Sequence, residues 1–340
     1  MVRNEQLFNF LLLAFIVFSI PAHAKITDLR SSGPLQTRVQ NPLSLQFLTL
    51  PIESAQTLNK NQYETFFQTA FSNVFEYEIS GTTTLRFDME MWRQALTFKY
   101  GITDTIEVGV ELPFITNGSG FLDGFLNWYH DFWGLPNSGR EIVPNNEFAF
   151  TLTQNGQTLI DHPSTPFGFS DTILRAKYLF LTSPSWKLAF SPAIKVPLGS
   201  SSKGLSSGHF DFGAQILAEK RLRRFHFVTQ LGFVYVTGHD FLESILKKAF
   251  VQFGQSAEFQ ILDGLSLVAQ LTGNSVLFKN VSADDLSKIA LDLNIGFAGN
   301  FPLEHPFLDE LFYQFSFGED VTSTGPSADF TTFFLIGVRY

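Results

Sequence analysis

The strongest constraint on this chain is an alternation of apolar and polar residues that starts near residue 62 and recurs to the C-terminus. Leu85, Phe87, Met89 and Met91 alternate with Arg86, Asp88 and Glu90, and Ile106, Val108, Val110, Leu112 and Phe114 alternate with Glu107, Gly109 and Glu111. Leu174, Ala176, Tyr178 and Phe180 stand against Arg175 and Lys177, Leu188, Phe190 and Ile194 against Lys187 and Lys195, and Phe210, Phe212 and Ala214 against Asp211 and Gln215. The pattern repeats around residues 225–235, 251–259, 265–274 and 289–297. Successive side chains of a strand point to opposite faces, so each segment has one apolar and one polar side. Two architectures satisfy this: a sandwich with its apolar faces inward, or a barrel with its apolar face in lipid.

Connection length favours the barrel. The joints at 101–105, 182–185, 221–224 and 262–264 are tight, whereas those at 116–168, 199–207, 238–248 and 276–286 are long. Such alternation is expected of brief periplasmic turns at one end and larger external loops at the other. The short outer joint at 80–83 and the long inner one at 300–309 fit less well. Twelve strands result: 62–79, 84–101, 106–115, 169–182, 187–197, 208–220, 225–238, 249–261, 265–275, 287–299, 310–318 and 330–340. Fourteen is the alternative, if 147–154 and 157–161 cross the membrane instead of forming a hairpin in the outer loop. Because lipid cannot satisfy an exposed backbone, the sheet must close. The expected fold is therefore all-β, an antiparallel up-and-down transmembrane barrel with one long extracellular loop containing a short amphipathic helix.

Composition agrees. Phe contributes 40 of 340 residues, and only 16% of residues are charged, so the chain must bury aromatics in protein or lipid. A net charge of −9 argues against a nucleic-acid partner. The absence of Cys excludes disulfides, thiolate metal sites and lipidation. Arg3, the apolar run Leu7–Ile20, Pro21 and Ala22-His23-Ala24 predict a signal peptide over 1–24. Residues 25–61, with Pro34, Pro42 and Pro51, form either a periplasmic tail or a plug within the barrel 62–340. The last strand ends on alternate Phe334, Ile336, Val338 and Tyr340, resembling the signal read by the outer-membrane assembly machinery. The outer membrane is the expected location, with its lipid and lipopolysaccharide as surroundings.

Further motifs carry a family resemblance. They include Gly33-Pro34-Leu35 with Arg38 and Asn41-Pro42, Asp88-x-Glu90, Tyr100-Gly101-Ile102-Thr103, and Glu111-Leu112-Pro113-Phe114. Phe121-Leu122-Asp123-Gly124-Phe125, Tyr129-His130-Asp131-Phe132, Gly134-Leu135-Pro136 with Arg140, Lys195-Val196-Pro197-Leu198-Gly199 and Glu319-Asp320 continue the match. Together they resemble the uncharacterised Gram-negative outer-membrane family called domain of unknown function 3187, with the block from Phe121 to Arg140 the most specific. The resemblance implies a secreted barrel and brings no catalytic residue with it.

Besides the segment 25–61, two places can carry function. On the registers above, Arg86, Asp88, Glu90, Glu107, Glu111, Arg175, Lys177, Lys195 and Asp211 point into the lumen. They make either a structural ion-pair network or a charged constriction that selects a small solute. In the loop, Asp123, Asn127 and His130 share one helical face, opposite Phe121, Phe125, Trp128, Phe132 and Trp133. That trio could serve a lipid-modifying hydrolase using His130. However, no Ser stands at a nucleophile position and no GxSxG motif occurs. A helix over the barrel mouth or against lipid headgroups fits the pattern better. Neither metal-ligand spacing nor a phosphate-cradling loop is present, so no cofactor or metal is expected. The functional expectation is a narrow pore or solute transporter with a charged lumen, the alternatives being that hydrolase and a non-catalytic structural barrel.

Overall fold

The computed structural model describes residues 33–134, 143–305, 307–321 and 325–340; the expected signal peptide and Arg140 lie outside these. Fifteen strands form one sheet. In chain order they are β1 (Tyr63–Ser80), β2 (Thr83–Thr103), β3 (Ile106–Gly118), β4 (Ala149–Gln154), β5 (Gln157–Asp161), β6 (Thr165–Phe169), β7 (Thr172–Thr182) and β8 (Trp186–Val196). There follow β9 (Asp211–Leu222), β10 (Phe225–Val236), β11 (Ala249–Leu262), β12 (Leu265–Asn274), β13 (Ala290–His305), β14 (Leu308–Asp320) and β15 (Phe330–Arg339). Two helices, α1 (Asp123–Trp133) and α2 (Asp284–Ser287), lie in loops.

Twelve of the strands close into an antiparallel ring, β1-β2-β3-β7 and onward through β15 back to β1. The remaining three belong to the longest loop. Where β3 ends, β4 takes its place beside Thr83–Asp88 of β2 and turns back as β5, while β6 lies along the end of β3. The segment considered for two extra crossings is thus a loop hairpin, and the barrel has twelve strands.

All five joints at one end of the ring are turns of two or three residues. One lies between His305 and Leu308, where β13 and β14 extend beyond their expected ends and replace the long joint read there with a turn. Arg223 (φ 54°) and Gly264 (φ 76°) supply the left-handed backbone that tight hairpins demand. At the other end every joint is long except that at Gly81-Thr82. By this asymmetry the short turns are periplasmic.

The seam is sealed by the terminal residue. Tyr63 and Tyr340 exchange both backbone hydrogen bonds, and their rings stack 5.4 Å apart. Phe334, Ile336 and Tyr340 point outward, into the aromatic surface of the wall. The twelve-strand ring therefore closes without a free edge. Among the described residues no helix is long and apolar enough to cross a membrane; strands do the crossing.

Candidate functional site

The inside of the ring is occupied by the chain's own N-terminal segment. Residues Pro34 to Asn41 rise from the periplasmic end. Gln314 accepts from the Gln36 N–H at 2.8 Å and donates to Pro34 O, while Gln270 donates to Leu35 O and the Thr37 hydroxyl. Asn41 donates to Glu76 of β1 at 2.7 Å and accepts the Leu43 N–H, which opens a short 3-10 turn over Ser44–Gln46. The chain then descends. Leu48 N–H donates to Asp211 (2.8 Å), Leu50 N–H to Gln252 (2.7 Å), Ala55 N–H to Glu219 (3.0 Å) and Leu58 N–H to Glu107 (2.8 Å). Gln230 and Gln215 donate to Leu50 O and Pro51 O. An extended chain without sheet partners carries unpaired backbone groups, and here wall side chains pair them.

The wall is shaped for this hairpin. Gly213, Gly232 and Gly254 sit on the inner face of adjacent strands β9, β10 and β11. A Cβ there would lie 2.8, 2.8 and 2.3 Å from side-chain atoms of Leu48, Leu50 and Ile52 respectively. The glycines leave a track in which alternate side chains of the descending limb lie flush.

Of the nine residues read as lumenal, six lie on the inward face and join the hairpin in a charged network. Arg38 of the rising limb, Arg93 of β2 and Arg175 of β7 converge on one carboxylate, Glu111 of β3, with Arg38 at 3.0 Å and Arg175 at 2.9 Å. Lys177 bonds Glu107 at 2.9 Å and Glu53 of the hairpin at 3.2 Å, and Lys99 bridges Glu53 and Glu64. Lys195, 1% exposed, holds Asp171 and Asp211 and donates to Gln46 O of the hairpin. Near the periplasmic end His226 lies between Glu219 and Glu258, each at 3.0 Å, and Arg339 bridges Glu64 and Glu310.

Arg86, Asp88 and Glu90 are the exceptions. Uninterrupted pairing of β1 with β2 puts Glu90 beside Asn73, Asp88 beside Phe75 and Arg86 beside Tyr77, on the face shared with the exposed Trp92. They therefore face out of the ring, and Leu85, Phe87, Met89 and Met91 face in. The expected orientation assumed that charge always turns to the lumen. Instead Arg93, Thr97 and Lys99 set the inward parity of β2, and the loop after β3 shields the outward carboxylates. Glu90 accepts the N–H groups of Phe121 and Leu122, Asp123 accepts from Asn73 at 3.2 Å, and Arg86 pairs with Glu147. Arg93 and Lys99 were legible as partners by that same parity. Arg38 and Glu53 were not, because nothing in a Pro-broken segment fixes where a side chain points.

The start of helix α1 is consequently fastened to the outer face of the wall. Leu126 and Asp123 are buried beneath it, whereas Phe121, Phe125, Trp128 and Phe132 are exposed. Phe121 stacks on Phe71, which meets Trp92 edge-on, so the row continues the barrel's aromatic exterior. Within the proposed trio, Asp123 also accepts the Asn146 N–H at 2.7 Å and Asn127 contacts Asn145 at 3.5 Å. The His130 side chain lies outside the described residues. Among the described residues no cluster is placed to hold a metal ion.

The lumen has two halves. The periplasmic half is a vestibule of about 820 Å³, lined by the hairpin ends and by charged residues that include Lys99, Lys177, Glu219, Glu310 and Arg339. The extracellular half is filled, largely by apolar side chains around the Lys195 ion pairs. Leu43, Phe47, Leu48 and Leu50 of the hairpin pack with Met89, Met91, Val234 and Phe250 of the wall, under Leu242, Ile245, Leu277 and Phe278 of the outer loops. His239, in the loop after β10, clamps the apex. Its Nδ1 accepts the N–H groups of Phe241 and Leu242, leaving Nε2–H to donate to Gln46 Oε1 at 3.0 Å. Burial, then the nearby Lys195 charge, pushes its pKa down to about 3 and keeps the ring neutral.

Among solved structures the chain is similar to the COG4313 outer membrane channel from Pseudomonas putida F1, at 13% identity and a TM-score of 0.56 over 86% of this chain and 100% of that one. The KdgM porin in complex with disordered oligogalacturonate aligns at 6% identity and a TM-score of 0.42 over 82% and 98%. A FadL homologue from Pseudomonas aeruginosa aligns at 9% and 0.37 over 88% and 92%. The fold is that of outer-membrane channels. No curated protein matches the chain in sequence. The family model described as protein of unknown function (DUF3187) matches residues 8–340, so the chain belongs to that family, the one its motifs resemble.

Proposed function

We propose that this protein is an outer-membrane solute channel whose lumen is closed by its own N-terminal hairpin, residues 34–58. The observation that carries the reading is the way the hairpin is held. A vestibule open to the periplasm ends at a segment seated on a glycine track and bound by reversible hydrogen bonds and ion pairs. A strand of the wall could not leave without breaking the ring, whereas this segment can. Selection then falls to the charged inner wall. Helix α1, with its aromatic row level with the wall's exterior, rests in the lipid of the outer leaflet, and the C-terminal strand acts as the assembly signal.

The test is conductance in planar bilayers. The mature chain is expected to stay closed for most of the recording, and a variant lacking residues 34–57 to carry steady current. Absence of current from the deletion variant, with the barrel intact by heat-dependent gel mobility, would favour a second reading, a structural barrel. The apolar filling of the extracellular half supports that alternative.

A further inference from the structure

We infer that the solute of this channel is an amphipathic organic anion, with an apolar body and a single carboxylate- or sulfonate-like head. The inference rests on the channel reading above and names its solute class. Two independent features of the inner wall lead to it.

The first is the apolar band. Once the hairpin is displaced, the wall still presents Met89, Met91, Ile115, Ile173, Val234 and Phe250 on its inner face. A pore for ions or sugars would expose that surface to water at every opening, which is unfavourable in proportion to the apolar area wetted. A solute with an apolar body takes the place of Leu43, Phe47, Leu48 and Leu50 and removes the penalty.

The second is the arginine cluster beneath the band. Three guanidiniums share the single carboxylate of Glu111. The Nε atoms of Arg38 and Arg175 are buried without a hydrogen-bond partner, and Arg38 is 5% exposed. Displacing the hairpin removes Arg38 and also Thr49 O, which accepts from Arg175. Arg93 and Arg175 then remain against Glu111, one positive charge in excess, with planar donor forks suited to a carboxylate or sulfonate. This cluster borders the apolar band directly, since Arg93 pairs in register with Ile115 and Glu111 with Ile173. An apolar cleft with one convergent charge is the usual form of a small-molecule site. A cation with the same body would meet two guanidiniums, and a small anion would leave the band wet.

The experiment uses the full mature chain in liposomes, with protein-free liposomes subtracted. Entry of 1-octanesulfonate is compared with methanesulfonate, which has the head without the body, and octyltrimethylammonium, which reverses the charge; chloride flux is followed in parallel. Octanesulfonate should enter about tenfold faster than either comparator. Arg175→Gln, which leaves Glu111 paired with Arg38 and Arg93, should lower that rate about tenfold, and Arg175→Lys should retain most of it. Met91→Thr supplies a second readout, reducing the preference for octanesulfonate over methanesulfonate. Equal entry of methanesulfonate, faster entry of the cation, or indifference to all these substitutions overturns the inference and leaves a channel. Absence of any flux, chloride included, from both the full mature chain and the variant lacking residues 34–57 removes the channel reading and this inference with it.

Discussion

Glu111 concentrates the electrostatics of the interior in one residue. Its side chain is 3% exposed and neutralises charge from three directions, including Arg38 on the hairpin. Removing one partner of a buried pair leaves the other uncompensated, which typically costs about 3–5 kcal/mol. Glu111→Gln is therefore expected to destabilise the barrel by about that amount, whereas Arg175→Gln should cost less, because two arginines still serve the carboxylate. Denaturant unfolding in detergent micelles measures both. At Gly232 the effect is steric. A side chain there meets Leu50, so Gly232→Val should lift the descending limb from its track and raise open probability in bilayers while the ring stays intact. An unchanged closed state in that variant would show that the track does not seat the hairpin. The residues that sequence parity exposes, such as Glu107 with Lys177, are strand neighbours in register. Those it misses, such as Arg38 and Glu53, reach the same network from outside any repeating pattern.

Two loop elements yield predictions of their own. The N-terminus of α1 is fastened by the Glu90 carboxylate, and hydrogen bonds to a charged acceptor are worth about 1.5–3 kcal/mol. Glu90→Gln should speed amide exchange within α1 and leave β1 and β2 unchanged. If the helix lies in lipid, brominated phospholipid should quench Trp128 in a variant whose other three Trp are Phe; iodide quenching without bromolipid quenching would place it in water. The clamp at His239 is pH-dependent. In the unfolded chain the ring takes up a proton near pH 6.5, whereas in the fold it resists until about pH 3. The clamp is therefore at full strength above pH 6.5 and weakens as pH falls from 6.5 toward 3. Hydrogen exchange at residues 43–50, corrected for intrinsic rates, should show less protection at pH 5 than at pH 7.5, and His239→Gln should flatten that difference.

At the scale of the molecule, the barrel is built inside out relative to a soluble domain. Its exterior carries exposed aromatics and aliphatics such as Tyr178, Phe233 and Ile295, and its interior holds a network of ionised groups. Arg or Lys at the bilayer midplane would cost about 2–4 kcal/mol, less for Asp or Glu, and that penalty makes parity readable along most strands. It misleads on β2. There the loop after β3 shields three outward charged residues, and the hairpin apex lets four apolar residues turn inward, so both penalties vanish for reasons distant in sequence.

Local chemistry by itself therefore determined the class of fold, the end that carries the short turns and the family, and it narrowed the crossings to twelve or fourteen. Each follows from period-two alternation, turn residues or motifs that act within a few residues of one another. Only the tertiary structure decided that residues 147–161 form a loop hairpin, what fills the lumen, which way Arg86, Asp88 and Glu90 point, and that α1 starts from the outer wall. Those outcomes depend on a Pro-broken segment and a long loop meeting strands far away in the chain, and the hydrogen bonds that place them come from wall side chains rather than from any pattern of their own.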